Sequence, residues 1–514
     1  MKKLITLSII LLHGCSCLGQ GYNHNYLLGY QTGLDSFTTA LRAKAEIDSF
    51  NFNVFSQVRK MRFTTAQANI SDSAGNLLFY TNGCWIANAA GDTMLNGENL
   101  YSGQPSSYCT FGLPFANAGV ALPFPDSSNK FALFYELDDV NVYPRNLYYS
   151  IIDMTLDSGR GAVTLKNQIA FSDSLTFGVT ACKHANGRDW WIAVLKDSSD
   201  IIYTLLLTPS GIANVHQQHL GVPMHTSFAS RQAFSPDGTK FAYTKTIATG
   251  VMPEPYIRDL RILDFDRCSG QFSIDTPPVV FNLNDSFFGV GLAFSANSRY
   301  LYTSKPWEIS QFDLQATNIA ASRQSVAWYD FNTTYGITNF AYLYLAANGK
   351  IYVSSTSSTT AINLIDQPDS AGMACNVLSA GMACNVLQHS VQTPCYIYAS
   401  HVNHPNYYLG CDTTQTTCPC LITGINNVKQ HDFKFSISPN PTNGSFKIIY
   451  LLPQNKSGTL QIFDINGKQV YKQNLPPWST MQYISLPKLA NGVYNCTITS
   501  NNERVHKKLV VLKE

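Results

Sequence analysis

At 514 residues the chain exceeds an ordinary single compact domain, although β-propellers reach this size by adding blades. Hydrophobic residues make up 45%, aromatics 12% and charged residues only 13%, a balance that suits strands and excludes a coiled coil or a disordered tail. The formal net charge is +2, but residues 20–431 carry about 6 more acidic than basic side chains, which excludes the basic patch of a nucleic-acid binder.

The chain opens as a cleavable signal over residues 1–19. Lys2 and Lys3 form its charged start, and residues 4–12 form an apolar run too short to span a bilayer. Cleavage after Gly19 fits the small residues Cys17 and Gly19. A lipoprotein signal ending at Cys15 is the alternative, and His13 fits that pattern poorly. No later apolar run reaches the length of a transmembrane helix.

From residue 20 to 410 one local pattern returns: a turn rich in Gly, Asn, Asp or Ser, then at once a strand. The instances are SDSAGNLLFYTN (71–82), FPDSSNKFALFYE (124–136), KHANGRDWWIAVL (183–195), FSPDGTKFAYTK (234–245), FSANSRYLYTSK (294–305) and LAANGKIYVSS (345–355). Asn-Gly and Asp-Gly supply the positive φ of tight hairpins. A spacing of roughly 50 to 60 residues, with strands and no amphipathic helix between, reads as an all-β propeller. Strand candidates at 146–154, 201–207, 260–266 and 309–314 complete four-stranded blades. A seventh blade is assembled from the N-terminal strands (45–50 and 61–70) and a late strand at 395–400, joining the two chain ends and closing the ring.

SAGMACNVL occurs twice, at 370–378 and 379–387, and reads as an in-frame duplication in a surface loop. The other reading makes Cys375 and Cys384 a matched thiol pair. Residues 411–431 read as a linker. Residues 432–514 carry seven short strands separated by Asn443-Gly444, Asn466-Gly467 and Asn491-Gly492, the pattern of a small immunoglobulin-like β-sandwich. Eleven cysteines follow the signal. Export permits disulfides, and a local bridge among Cys411, Cys418 and Cys420 is expected, while CDTTQTTCPC lacks the spacing of a zinc site.

The pieces SPNPTNG (438–444), LQIFDINGKQVY (460–471) and LANGVYNCTITSNNERVHKKLVVLK (489–513) together resemble the C-terminal sorting domain of the type IX (Por) secretion system of Bacteroidetes-type bacteria. The resemblance implies two partners, the outer-membrane translocon and a surface sortase, and a product that is secreted or attached at the cell surface. The body resembles WD-like propeller proteins that carry this sorting domain, through GNLLFYTNG (75–83), KHANGRDWWI (183–192), FSPDG (234–238), FSANSRYLY (294–302), ANGKIY (347–352) and HPNYYLGCDT (404–413). That resemblance implies a fold and a location and no reaction.

For chemistry, His184, Arg188, Asp189 and Trp190 form the candidate ligand-binding set, since an indole face stacks on a pyranose while charged groups fix its hydroxyls. The competing reading makes Asn186-Gly187 a turn, Asp189 its cap and the two tryptophans core. Asp264, Asp266 and Arg267 at a strand end read as turn-capping rather than as a glycosidase pair. Glu136, Asp138 and Asp139 read as a solvated acidic strand end, and His401 and His404 lack a third metal ligand. No GxSxG elbow, HExxH helix, P-loop or Rossmann fingerprint occurs, so no catalytic residue, metal or cofactor is assigned. The expected function is a secreted or surface-displayed module that binds a glycan or a protein. The alternative is a propeller hydrolase or lyase on extracellular carbohydrate or lactone, and the side chains lining the central channel discriminate the two.

Overall fold

A computed structural model describes residues 21–30, 39–47, 51–100, 109, 112–113, 117, 119–138, 144–224, 231–247, 257–273, 279–281, 291–372, 384–399, 402–414, 417–421, 435–452, 456–477, 480–500 and 503–513. The signal segment, His401, Asp139, Cys375 and most of the doubled SAGMACNVL lie outside the described residues.

Among the described residues before the C-terminal unit, strand-turn-strand units pair in sequence into seven antiparallel sheets. The first contains Asn25–Leu28, Ala40–Ile47 and Phe52–Arg59, and the second Ala68–Ser71, Leu77–Thr81 and Ile86–Asn88. The third runs from Gly119–Pro123 to Ala162–Ser172, the fourth from Thr180–Lys183 to Gly211–Met224, and the fifth from Arg231–Phe234 to Gln271–Ser273, with Val279–Phe281 at its side. The sixth runs from Gly291–Phe294 to Gln324–Trp328 and the seventh from Leu343–Leu345 to Val386–Ile397. The first strands of successive sheets lie side by side, so the sheets stand as the blades of a seven-bladed β-propeller.

The repeated turns share one geometry. Gly75, Gly187, Gly238, Ser298 and Gly349 each donate a backbone N–H to the carbonyl three residues earlier and each has positive φ. Four are the glycine that such a conformation favours, and Ser298 is the exception at φ 61°. These turns define one face of the ring. The opposite face carries the connections between blades.

Closure differs from the sequence expectation. Residues 395–397 end the outer strand of the seventh blade, and Ala68–Ser71 opens the second blade, so among the described residues no strand from the late chain pairs into the N-terminal sheet. Apolar packing joins the ends instead. Tyr26, Ala43, Ala45 and Ile47 share a core with Tyr344, Tyr352, Ile362 and Ile397. Phe52 stacks on Tyr352 at 3.9 Å, and the Tyr30 N–H donates to the Tyr396 carbonyl at 2.9 Å.

Disulfide Cys268–Cys418 fastens the segment around Cys418 to the propeller, and Cys411–Cys420 closes that segment on itself. Backbone bonds from Asp412 to Ala185 and from Leu421 to Asn186 add to this attachment. Cys84–Cys109 is a third bridge, and Cys384 is also disulfide-bonded. The C-terminal unit is an immunoglobulin-like β-sandwich. Phe435–Ser438, Ser445–Tyr450 and Met481–Ser485 form one sheet, and Gln469–Leu475, Gly458–Phe463, Gly492–Ser500 and Glu503–Val511 form the other. Alternate residues point inward along these strands, and Phe446, Ile448, Leu460, Ile462, Ile498 and Leu509 build the core.

Candidate functional site

The central channel is filled by the protein's own chain. Inner strands leave carbonyls without strand partners, and side chains of residues 403–407 supply donors to carbonyls of the second to fifth blades. Asn403 Nδ2 donates to the Gly119 and Val179 carbonyls at 3.2 and 2.6 Å. Asn406 Nδ2 donates to Pro236 at 2.6 Å and the Tyr407 hydroxyl to Ala121 at 2.8 Å. His404 Nε2 meets the Asn69 carbonyl at 3.0 Å and Nδ1 meets the Tyr344 hydroxyl at 2.9 Å. A carbonyl only accepts, so Nε2 carries the hydrogen and Nδ1 accepts from the tyrosine. Burial pushes the His404 pKa down to about 4, which keeps the ring neutral in this role. A cavity of about 120 Å³ remains between this plug and the inner strands.

Of the four sequence candidates, three are buried in structural roles. His184 Nδ1 accepts from the Asn186 N–H at 2.9 Å. Asp189 accepts from Arg188 Nε at 2.7 Å and Asn186 Nδ2 at 2.8 Å, locking the hairpin turn. Trp190 is 0% exposed, donates Nε1 to the Pro123 carbonyl at 3.1 Å and carries Lys183 Nζ 4.1 Å above its ring. It therefore presents no ring face for a sugar. Arg188 alone reaches the groove above the turns, where it also meets Asp126 at 3.1 Å. Trp191 is core, and its Nε1 donates to the Arg267 carbonyl.

The acidic pairs resolve locally as well. Asp264 pairs with Lys240 at 2.6 Å, and Asp266 accepts from Cys268 N–H and Ser269 in its own turn. Arg267 donates to the carbonyls of Lys183, His184 and Gly410, tying the fourth blade to the exit of the plug. Glu136, expected in solvent, is fully buried because the middle strand of the third blade carries it inside the ring. Among the described residues no three His, Cys, Asp or Glu side chains converge as a metal site.

An exposed aromatic platform that sequence reasoning missed sits on the face opposite the repeated turns, where the sixth and seventh blades meet. Phe331 is 70% exposed at φ 59°, a conformation that disfavours bulky side chains. One face of its ring stacks on Trp307, with centroids 5.5 Å apart and planes at 20°, and Tyr329 packs at its edge at 5.1 Å. Trp328 is 59% exposed beside it. Polar groups border the rings. His389 Nε2 lies 3.0 Å from both Asp330 oxygens and its Nδ1 lies 2.8 Å from Thr338 Oγ1. Gln388 accepts from the Asp330 N–H and donates to the Trp328 carbonyl, holding the segment in place. Gln392 donates to the Tyr335 hydroxyl at 2.8 Å. An aromatic face backed by a second ring and bordered by amides, a carboxylate and an imidazole can stack on an apolar ring face and bond its hydroxyls.

Comparison with known proteins bears mainly on the C-terminal unit. Residues 436–512 match the family model of the secretion system C-terminal sorting domain, which implies secretion or attachment at the cell surface. No curated protein matches. Among solved structures, a prolyl endopeptidase is similar at 11% identity and TM-score 0.28, covering 77% of this chain, and this chain spans about half (51%) of that protein's length. A putative TolB from Agrobacterium tumefaciens gives 15% identity and TM-score 0.29, over 56% of this chain and 86% of that one. A calcium-binding protein, regucalcin, from Agrobacterium tumefaciens str. C58 gives 12% and 0.30, over 66% and 95%. No helix among the described residues is long and apolar enough to cross a membrane.

Proposed function

We propose that the protein is an exported binding module that holds extracellular polysaccharide on the Trp307–Phe331 stack. In this reading a Bacteroidetes-type bacterium exports it by the type IX translocon. A surface sortase removes the C-terminal domain and leaves the propeller secreted or attached at the surface.

One observation carries the binding role. A large apolar ring stands 70% exposed in a strained backbone conformation, backed by a second ring and bordered by fixed polar groups. Strain of this kind persists where the surroundings hold it, and it clusters at ligand sites. The plug agrees with this placement, because the propeller's axial opening is spent on its own residues. A glycan array probed with the purified propeller tests the proposal. Phe331→Ala is expected to weaken binding to the best glycan at least tenfold, about 1.4 kcal/mol, while Arg188→Ala leaves it unchanged. The opposite result moves the site to the groove above the turns. Absence of any glycan signal removes the polysaccharide reading.

A further inference from the structure

A buried cation on the first blade lacks a partner. Arg42 stands on the middle strand, Ala40–Ile47, and is 0% exposed. Its Nε, Nη1 and Nη2 have no hydrogen-bond partner among the described residues. The strand register sets Gln57 directly opposite Arg42 and Arg59 opposite Ala40, so Arg42, Gln57 and Arg59 share one face of the sheet. Arg59 is buried too, but its donors are used. Its Nη1 reaches the Ala43 carbonyl at 2.7 Å and Gln57 Oε1 at 2.8 Å, Nε reaches the Met61 carbonyl at 3.2 Å, and Nη2 reaches the Leu28 carbonyl. All four acceptors are neutral.

This face therefore holds two guanidinium charges, and among the described residues no carboxylate pairs with either. Glu46, the carboxylate further along the same face, is held by Lys44 at 2.6 Å. Burial and the like charge of Arg62 push the Arg42 pKa down, but only to about 10, with Cys395 opposing them. Burial pushes the Cys395 thiol up, so at neutral pH it supplies no counter-charge.

Water can accept from the Arg42 donors, but it brings no charge, and an uncompensated buried cation costs more than an unmade neutral hydrogen bond. A guanidinium offers donors only, in a fork suited to anions. Full enclosure of Arg42 restricts the ligand to a small one. We infer that the first blade binds a small inorganic anion, of chloride size, at the Arg42 guanidinium on the face shared with Gln57 and Arg59. Ala43, the next residue, belongs to the core that joins the first blade to the seventh, so the bound anion strengthens the closure of the ring.

Thermal melting of the full chain tests this, in sodium chloride against sodium gluconate at equal ionic strength. Gluconate is too bulky for an enclosed site, and equal ionic strength holds screening constant. Chloride is expected to raise the wild-type melting temperature by several degrees over gluconate. Arg42→Met removes the charge and should abolish most of that rise. Gln57→Glu sets a carboxylate opposite Arg42 and keeps an acceptor for Arg59, so it should also suppress the rise. No chloride-specific rise in the wild type, or an undiminished rise in either variant, overturns the inference. Chloride NMR line-broadening by the wild-type chain, cut at least by half in Arg42→Met, reads the binding itself, and equal broadening by both also overturns it. The wild-type salt comparison stands even where a variant fails to fold.

Discussion

Four side chains between Asn403 and Tyr407 do inside the ring what strand pairing does elsewhere, giving donors to the carbonyls of Asn69, Gly119, Ala121, Val179 and Pro236. His404 is the most exacting, because protonation would leave a buried charge and turn Nδ1 from acceptor to donor. Its folded pKa lies below the unfolded value, so between about pH 6.5 and 4 the unfolded chain binds a proton that the folded chain refuses. Stability therefore falls with pH across that window, by up to about 3 kcal/mol from this group. Glu136 acts with the opposite sign, its folded pKa being raised, and it contributes stability that fades as pH rises toward 8. Chemical denaturation of wild type and His404→Gln separates the two effects: the stability difference between them at pH 7 should shrink by pH 5, and a constant difference would deny His404 this role. At Phe331 the expectation is functional, since its exposure makes truncation cheap. Phe331→Ala should keep stability within about 1 kcal/mol while binding fails.

At the level of elements, the hairpins were legible because one residue dictates each turn. Gly187 sits at φ 77°, and a Cβ there would lie 2.7 Å from the Cys411 backbone nitrogen. Gly187→Ala should thus cost about 2–4 kcal/mol, combining backbone strain with displacement of the chain leaving the plug, as measured by the denaturation midpoint. Cys268–Cys418 spans 150 residues and pins the same segment to the fifth blade. Converting both cysteines to serine should lower stability by about 2–5 kcal/mol, and an unchanged midpoint would show that the apolar contacts suffice. The plug and the platform were illegible for a shared reason. HPNYYLG has neither strand nor helix periodicity, so its donors gain meaning only once the blades surround them. The platform is assembled across blades, and His389 lies 59 residues from its partner Asp330, so no local motif marks it. In KHANGRDWW the turn and the blade interface take up His184, Asp189 and Trp190, and of the four candidates Arg188 alone reaches the groove.

For the whole molecule, repeat spacing carried the architecture and the three C-terminal motifs carried the export signal, because both are written locally. How the ring closes was not, since apolar packing between Asn25–Leu28, Ala40–Ile47 and the seventh blade leaves no pairing signature in sequence. Deleting residues 432–514 should retain the propeller inside the outer membrane when fractions are immunoblotted, and unimpaired surface delivery would refute sorting-domain control. Hydrogen–deuterium exchange with the best array glycan reads directly where ligand meets protein. Protection confined to residues 328–337 and 386–392, with none over 183–191, is the expected footprint. Protection at the mouth of the channel, over 123–127, 186–188 and 406–410, with the aromatic platform unchanged, would contradict it.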